Sequence, residues 1–284
     1  MPRSPDRIIG RTRVREALDS AVIALTAAGC GTPRLDAELL LAAAIGVDRA
    51  TIVSDPGREL EPDAARRFIE HAARRREREP VAYILGRKGF RTIELEVDER
   101  VLIPRPETEH LVEALLDLPH GARVCDVGTG SGAIALALKA ERPDLDVLAT
   151  DASADALDVA RANARRLGLA VSFHHGDLLA DVGGALDAVV SNPPYVEDGA
   201  ELAPDIVRYE PALALRAGPD GLDVIRRLLP AAGATAAHAV ALEIGAGQGE
   251  AVAALIREAG FPAVAAIADL AGLERVLVGR RTGV

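Results

Sequence analysis

The sequence predicts an α/β protein: a doubly wound, mostly parallel sheet preceded by a small helical domain and a β-hairpin linker. Two observations carry this expectation. From Ala122 onward, short apolar runs alternate with glycine turns and Ala/Leu-rich stretches, the rhythm of strands joined by crossover helices. The first eighty residues lack that rhythm. Their apolar residues recur every three or four positions, and a length of 284 residues leaves room for about two domains.

The elements follow in order. Val14, Leu18, Val22 and Leu25 mark one face of a first helix. Thr32-Pro33 reads as an N-cap followed by proline in the first turn, opening a second helix through Leu35, Leu39 and Ala43. A third starts near Pro62 and ends in Arg74, Arg75, Arg76 and Arg78, interleaved with Glu77 and Glu79. That charged run reads either as a solvated helix end or as a docking surface for an acidic partner. Ile93, Leu95 and Val97 then alternate with polar residues, as in a half-buried strand. Gly86 and Gly89 supply turns before it, and with Val101–Ile103 the segment reads as a hairpin. PRPETEHLVEALLDL leads from a proline-rich start into a helix. The sheet strands are RVCDVG, DVLATD, VSFHHGD, DAVVSNPPY, AVALEIG, PAVAAIAD and ERVLVGR, the last two close enough for an antiparallel edge hairpin. Helices are expected at 133–140, 154–167, 221–229 and from Glu250. The expected domains are 1–80 (helical), 81–104 (hairpin linker) and 105–284 (sheet domain).

Composition bounds the function. Hydrophobic residues make up 49% but aromatics only 2%, so the core is built from Ala, Val, Leu and Ile. A net charge of −10 argues against a clamp for bulk nucleic acid, which needs a basic face. The polar start MPRSPDRIIGRTR has no apolar leader core, and the run Leu39–Ile45 is too short to span a bilayer. A cytoplasmic protein with no membrane partner is expected. Cys30 and Cys125 are too far apart in sequence for metal-ligand spacing. His174 and His175, adjacent on a strand, point to opposite faces, so no metal is expected.

The stretch Asp126-Val-Gly-Thr-Gly-Ser-Gly132 ends the first sheet strand. Gly128, Gly130 and Gly132, with Thr129 and Ser131 between them, allow a tight turn that brings backbone N–H groups against a ligand. The spacing G-x-G-x-G departs from the dinucleotide fingerprint, and the preceding Asp126 would repel a pyrophosphate and welcome a cationic amino-acid group. Asp151 ends the second strand, where a carboxylate accepts both hydroxyls of a ribose. Asp177 is expected to end the third strand and to take the exocyclic amine of an adenine. S-adenosylmethionine fits all three positions, with S-adenosylhomocysteine as its product; a dehydrogenase does not.

The fourth strand ends in Asn192-Pro193-Pro194-Tyr195. Two prolines remove two backbone donors and hold the residues before them extended, leaving carbonyls that the loop cannot satisfy. A planar amide or aromatic amine is a poor nucleophile. Acceptance of its two N–H groups by the Asn192 side-chain oxygen and the Pro193 carbonyl would orient its lone pair, with the Tyr195 ring against the flat group. The motif alone does not separate adenine or cytosine from a carboxamide.

Beyond this point the chain resembles a known family. EPVAYILGRKGF, LIPRPETE, DVGTGSGAIALAL, SNPPY, YEPALAL, LEIGAGQGEAV and ERVLVGRR are similar, in order, to blocks of the PrmC/HemK family of protein-glutamine methyltransferases that modify peptide chain release factors. The resemblance implies a Rossmann-like, class I S-adenosylmethionine-dependent methyltransferase domain, with the helical domain docking a class I release factor. It implies methylation of the side-chain amide nitrogen of the glutamine in the factor's Gly-Gly-Gln motif. By position, Gly128–Gly132, Asp151 and Asn192 would contact the cofactor and Asn192–Tyr195 would hold the glutamine. Where the family often has an aromatic residue after the third-strand acid, this chain has Leu178, so an aliphatic contact must replace the stack. Arg105 and Glu107 read either as lining the substrate channel or as an Arg–Glu pair locking the hairpin in place. Glu243 reads as structural. A monomer without stable nucleic-acid binding is expected. The rivals are a nucleobase amino-methyltransferase, which should carry a basic channel or a target-recognition domain, and an idle scaffold that only binds the factor.

Overall fold

The structure is a computed structural model and describes residues 12–180, 182–269 and 271–282. The stretch 1–11, which holds most of the polar start where no leader is read, lies outside the described residues. Two compact units divide the chain. One runs to Gly86 and takes in Ala203–Tyr209; the other holds Arg87–Leu202 and the chain from Glu210 onward.

The first unit is helical: α1 (Val14–Ala27), α2 (Pro33–Ile45), α3 (Arg49–Ser54), α4 (Pro62–Arg76) and α5 (Val81–Leu85), joined by the returning segment Pro204–Tyr209 (α9 in chain order). α1 buries Val14, Leu18, Ala21 and Leu25, with Val22 half-buried at the edge of the stripe. These pack with Leu40, Leu41, Ile52 and Phe68. Thr32 takes the N-cap position before Pro33, but its hydroxyl donates to Asp36 Oδ1 at 2.8 Å instead of capping a backbone amide. α3 is absent from the sequence expectation because six residues are too few to show a helical period. It is held by Asp48, whose Oδ1 accepts from the Thr51 amide at 2.7 Å.

The arginine run is only in part the solvated helix end of the first reading, with Arg74, Arg76 and Glu77 exposed. Arg75 is buried and donates from Nε to Asp36 Oδ2 at 2.7 Å, tying α4 to α2. Arg78 meets Asp205 at 2.9 Å and donates to the Gly29 carbonyl at 2.8 Å, while Arg74 donates to Glu79 at 2.7 Å. Of the four, Arg76 stands most exposed. The run is chiefly an internal knot, because buried or half-buried guanidinium groups require carboxylate and carbonyl partners.

The second unit begins with a two-stranded hairpin, β1 (Arg87–Phe90) and β2 (Ile93–Glu96), paired antiparallel with Lys88 opposite Leu95. This differs from expectation in three ways. Residues 81–85 are helical and stop at Gly86 (φ +68°), Gly89 lies inside β1, and Val101–Ile103 form no strand. Tyr83 and Ile84 are buried on the short helix, and the pairing edge of β2 is taken by 87–90. At the hairpin turn, the Arg91 guanidinium reaches Glu141 at 2.8 Å and Glu113 at 3.0 Å, and its amide reaches Glu109 at 3.1 Å. Asn163, fully buried, accepts from the Glu96 amide at 2.7 Å and donates to the carbonyls of Glu96 and Ser131, each at 3.0 Å. The hairpin is therefore fastened to the sheet unit at both ends.

The sheet has seven strands: β3 (Arg123–Val127), β4 (Asp146–Asp151), β5 (Ser172–His175), β6 (Ala188–Ser191), β7 (Ala239–Glu243), β8 (Ala263–Ala268) and β9 (Glu274–Arg280). Their spatial order is β5-β4-β3-β6-β7-β9-β8. β3 to β7 run parallel; β9 is antiparallel to β7 and to β8, so the last two strands form the expected edge hairpin. Every residue of β6 and β7 is buried, as parallel strands covered on both faces require. The covering helices are α6 (Glu109–Glu113), α7 (Ala133–Glu141), α8 (Ala154–Leu167), α10 (Asp223–Gly233) and α11 (Gly249–Glu258). Among the described residues no helix is long and apolar enough to cross a membrane. Cys125 is a buried free thiol within β3. Strand order reverses on either side of β3, between β4 and β6, which is where such sheets open a ligand crevice.

Candidate active site

A cavity of about 270 Å³ lies at the carboxyl ends of the central strands. Gly128 and Gly130 line it after β3, Asp151 after β4, Asp177 and Leu178 after β5, and Asn192, Pro193 and Pro194 after β6. Thr129, Ser131, Gly132 and Tyr195 are not among its lining residues.

Gly128, Gly130 and Gly132 all have positive φ (73°, 55° and 86°). At Gly132 a Cβ would also come within 2.8 Å of Leu136 Cδ1 on α7. Four of the five amides of the turn, however, are not held out to a ligand. Those of Gly128 and Thr129 donate to the Thr150 carbonyl at 2.9 and 3.0 Å, that of Gly132 to the Thr129 carbonyl at 2.9 Å, and that of Gly130 to Asp151 Oδ2 at 2.9 Å. The glycines provide shape and close approach, and four of the amides expected to face a ligand are instead used within the protein.

Asp151 gains from this arrangement. Its Oδ2 accepts from Gly130 and its Oδ1 from the Ser153 amide at 2.8 Å, which fixes the carboxylate at the cavity wall. A carboxylate accepts about four hydrogen bonds, so two lone-pair sites remain for a diol. Behind the turn, Asp126 is fully buried. Its Oδ2 accepts from Thr129 Oγ1 at 2.6 Å and the Ala135 amide at 3.1 Å, and its Oδ1 has no partner. Burial, aided by the negative charge of Asp151, pushes its carboxyl up to about 7. A carboxylate left one partner short in this way favours a positive charge nearby.

β5 ends at His175, so Asp177 lies two residues further, in the following turn. Its carboxylate pairs with Arg227, and both side chains are more than half exposed. It is thus already engaged at the cavity mouth, not a free strand-end acceptor. Leu178 has φ +53°, a conformation that costs a non-glycine residue about 1 kcal/mol. Thr150 Oγ1 donates to its carbonyl at 2.7 Å and holds it there. Leu178, Leu213 and Val224 give the cavity an aliphatic wall. Leu213 carried no sequence signal beyond its place in YEPALAL.

Around the Asn-Pro-Pro-Tyr loop a second buried carboxylate organises the side chains. Asn192 Nδ2 donates to Thr108 Oγ1 at 3.0 Å, and that hydroxyl donates to Glu243 Oε2 at 2.6 Å. The Tyr195 hydroxyl donates to Glu243 Oε1 at 3.1 Å. Asn192 Oδ1 is left without a partner. Among the described residues no donor reaches the Pro193 carbonyl either, whereas that of Tyr195 receives Gln248 Nε2 at 3.0 Å. Burial pushes the Glu243 carboxyl up, and the hydroxyls of Thr108 and Tyr195 pull it back. Burial and the Glu243 charge raise the Tyr195 phenol, which stays protonated. Glu243, read from sequence as structural, thus holds two of the loop's side chains, one directly and one through Thr108.

Arg105 and Glu107 do not pair with each other. Arg105 Nη2 donates to Glu210 Oε1 at 2.5 Å, and Glu210 Oε2 accepts from the Ile103 amide at 3.2 Å. Neither Arg105 nor Glu107 lines the cavity; Arg100, Val101 and Leu102 do. Thr108 and Glu210 lie inside LIPRPETE and YEPALAL, but their partners are more than a hundred residues away for Glu210 and 84 or more for Thr108, which no local pattern reveals. Among the described residues no group of His, Cys, Asp and Glu is arranged to hold a metal ion.

The fixed diol acceptor at Asp151, the partner-short carboxylate of Asp126 and the aliphatic wall fit a nucleoside bearing a cationic amino-acid tail. Fold and site together define a class I S-adenosylmethionine-dependent methyltransferase. Family models agree: the one described as PrmC N-terminal domain matches residues 16–86 and the one described as methyltransferase small domain matches 106–218. The release factor glutamine methyltransferase of Deinococcus radiodurans is 42% identical over 278 residues, covering 95% of this chain and 99% of its own. That of Moorella thermoacetica is 44% identical, covering 94% and 98%. The chain belongs to the release factor glutamine methyltransferase family. In fold it also resembles the hMettl16 catalytic domain, solved in complex with MAT2A 3′UTR hairpin 6, at 18% identity and a TM-score of 0.54 over 80% of this chain and 86% of that one.

Proposed function

We propose that the protein transfers a methyl group to the side-chain amide nitrogen of the glutamine in the Gly-Gly-Gln motif of class I release factors. The observation that carries this reading is the pair of acceptors without partners in one loop, Asn192 Oδ1 and the Pro193 carbonyl. A primary amide offers two N–H groups to such a pair. When bound, S-adenosylmethionine supplies the methyl group on a sulfonium and departs as S-adenosylhomocysteine. Asp151 would hold the ribose hydroxyls, Leu178 the adenine face, and the turn 128–132 the amino-acid tail, with Asp126 favouring its charge.

The loop's contribution is orientation. Acceptance of both N–H groups fixes the plane of the amide and aims its nitrogen lone pair, and Tyr195 closes the face of the group. The nitrogen sheds its proton as the new N–C bond forms or just after, so no strong base is needed. The protonated Tyr195 and the neutral Thr108 accord with that. The helical unit, expected over 1–80 and extending to Gly86 with Ala203–Tyr209, docks the factor, and the sheet unit, which holds the hairpin and most of the expected 105–284, carries the chemistry. The enzyme works as a cytoplasmic monomer without stable nucleic-acid binding or a membrane partner. The separate PrmC N-terminal domain match supports the division.

The test is transfer of label from isotopically marked S-adenosylmethionine to a class I release factor and to the same factor with the Gly-Gly-Gln glutamine changed to alanine. Label on the first alone is expected. Label on neither, or on both alike, would refute the assignment.

A further inference from the structure

We infer that Glu243, acting through Thr108, fixes which way the Asn192 amide faces and so makes the loop a receptor for N–H donors. This rests on the function proposed above. An ionised carboxylate only accepts hydrogen bonds. In its ionised form, which burial opposes, Glu243 leaves Thr108 Oγ1, 2.6 Å from its Oε2, only one course, to give that carboxylate its single hydrogen. Toward Asn192, 3.0 Å away on the other side, the same oxygen can only accept. That turns Nδ2 to Thr108 and leaves Oδ1 as the free end, which is the atom found buried with no partner. Tyr195 likewise gives its hydrogen to Glu243. The hydroxyl hydrogens of Thr108 and Tyr195 both point to one carboxylate, and Asn192 Oδ1 is left as an acceptor for an incoming group.

Three elements converge to make this network. Ser191 pairs with Leu242 in the parallel ladder of β6 and β7, so Asn192 and Glu243 follow at adjacent strand ends. Thr108 closes the 3₁₀ turn Pro106–Thr108 that precedes α6. Among the described residues no cation pairs with Glu243, and the nearby Arg275 is held by Asp269 at 2.9 Å. A buried carboxylate held by neutral donors alone is costly, and polarity at Asn192 is the return. Glu243 and Thr108 are positioning residues.

Three variants test the inference: Thr108→Val, which keeps the volume and removes the hydroxyl; Thr108→Ser, which keeps the hydroxyl; and Glu243→Gln, which can donate to Thr108 and so reverse the network. Thr108→Val and Glu243→Gln should each lower kcat for the release factor by about 100-fold. KM for the factor and Kd for S-adenosylmethionine should stay within about threefold, as for an interaction made at the transition state. Thr108→Ser should stay within about threefold of the unmodified enzyme, since it preserves the relay. A packing role makes the opposite prediction, Val active and Ser impaired, and that result would overturn the inference. An arm independent of activity follows the Asn192 side-chain amide in a proton–nitrogen correlation spectrum, assigned by its loss in Asn192→Ala. Its solvent exchange should be slow in the unmodified protein and in Thr108→Ser and fast in Thr108→Val; equal exchange in all three contradicts the relay. If the unmodified enzyme labels no factor, the proposed function fails, while the exchange arm still decides the relay.

Discussion

The two units treat buried carboxylates differently. In the helical unit Asp36 is met by the buried guanidinium of Arg75 at 2.7 Å. In the sheet unit Asp126 and Glu243 are met only by hydroxyls and, at Asp126, a backbone amide. A paired charge is quenched locally and ties helices together. A charge held by neutral donors keeps its field, which can favour a cationic tail beside Asp126 and orient a chain of hydroxyl and amide hydrogens beside Glu243. The first arrangement serves the fold and the second serves the site.

The contrast breaks most severely at the end of the Glu243 network. Asn192→Ala should reduce methyl transfer by at least about 10³-fold, the scale of a lost orienting and electrostatic contact, as measured by initial rates with the release factor. Next is Arg75→Met, which strands Asp36 without its cation. A loss of about 3–5 kcal/mol is expected in urea unfolding, with activity per folded molecule unchanged. Asp36→Leu added to it should restore most of the loss, because the pair itself contributes little once both charges are gone.

A smaller effect separates the two kinds of carboxylate by pH. Asp126 is raised from the ordinary 3.8 to about 7, so the folded state binds its proton more tightly than the unfolded chain. Its contribution to stability is fully present below the free carboxyl value and is lost as pH rises through about 7. Glu243, also raised, acts in the same sense. Carboxylates held low by arginines or backbone amides, such as Asp98 and Asp205, act oppositely, but at and below the ordinary carboxyl range. Stability of the cofactor-free protein should therefore fall by roughly 3 kcal/mol between pH 5 and pH 8, and Asp126→Asn should flatten the fall. An unchanged slope in that variant would count against the assignment. Smallest is Arg227→Ala. It breaks an ion pair exposed on both sides, and thermal unfolding should register less than about 0.5 kcal/mol.

Much of this was legible in the sequence. The alternation of apolar runs and glycine turns marked the sheet, and the helix at Ala154–Leu167 falls where its period placed it. Asp151 and Asn192 follow from strand ends, where a parallel sheet presents its side chains to a ligand. Three things escaped, for a shared reason. The ties of Thr108 to Glu243, of Arg105 to Glu210 and of Arg78 to Asp205 join residues more than a hundred positions apart, and sequence spacing carries no trace of them. The hairpin was misplaced because Val81–Leu85 is an apolar run too short to show whether its period is that of a helix or a strand.

The central claim is that the loop at Asn192 presents acceptors to a side-chain amide. It is tested most directly by locating the methyl group in the product. A release factor treated with enzyme and S-adenosylmethionine is digested, and the peptide holding Gly-Gly-Gln is fragmented in a mass spectrometer. The account predicts one added methyl group on the glutamine side-chain nitrogen, absent when Asn192→Ala replaces the enzyme. A methyl group on any other residue, or one that persists with Asn192→Ala, would contradict it.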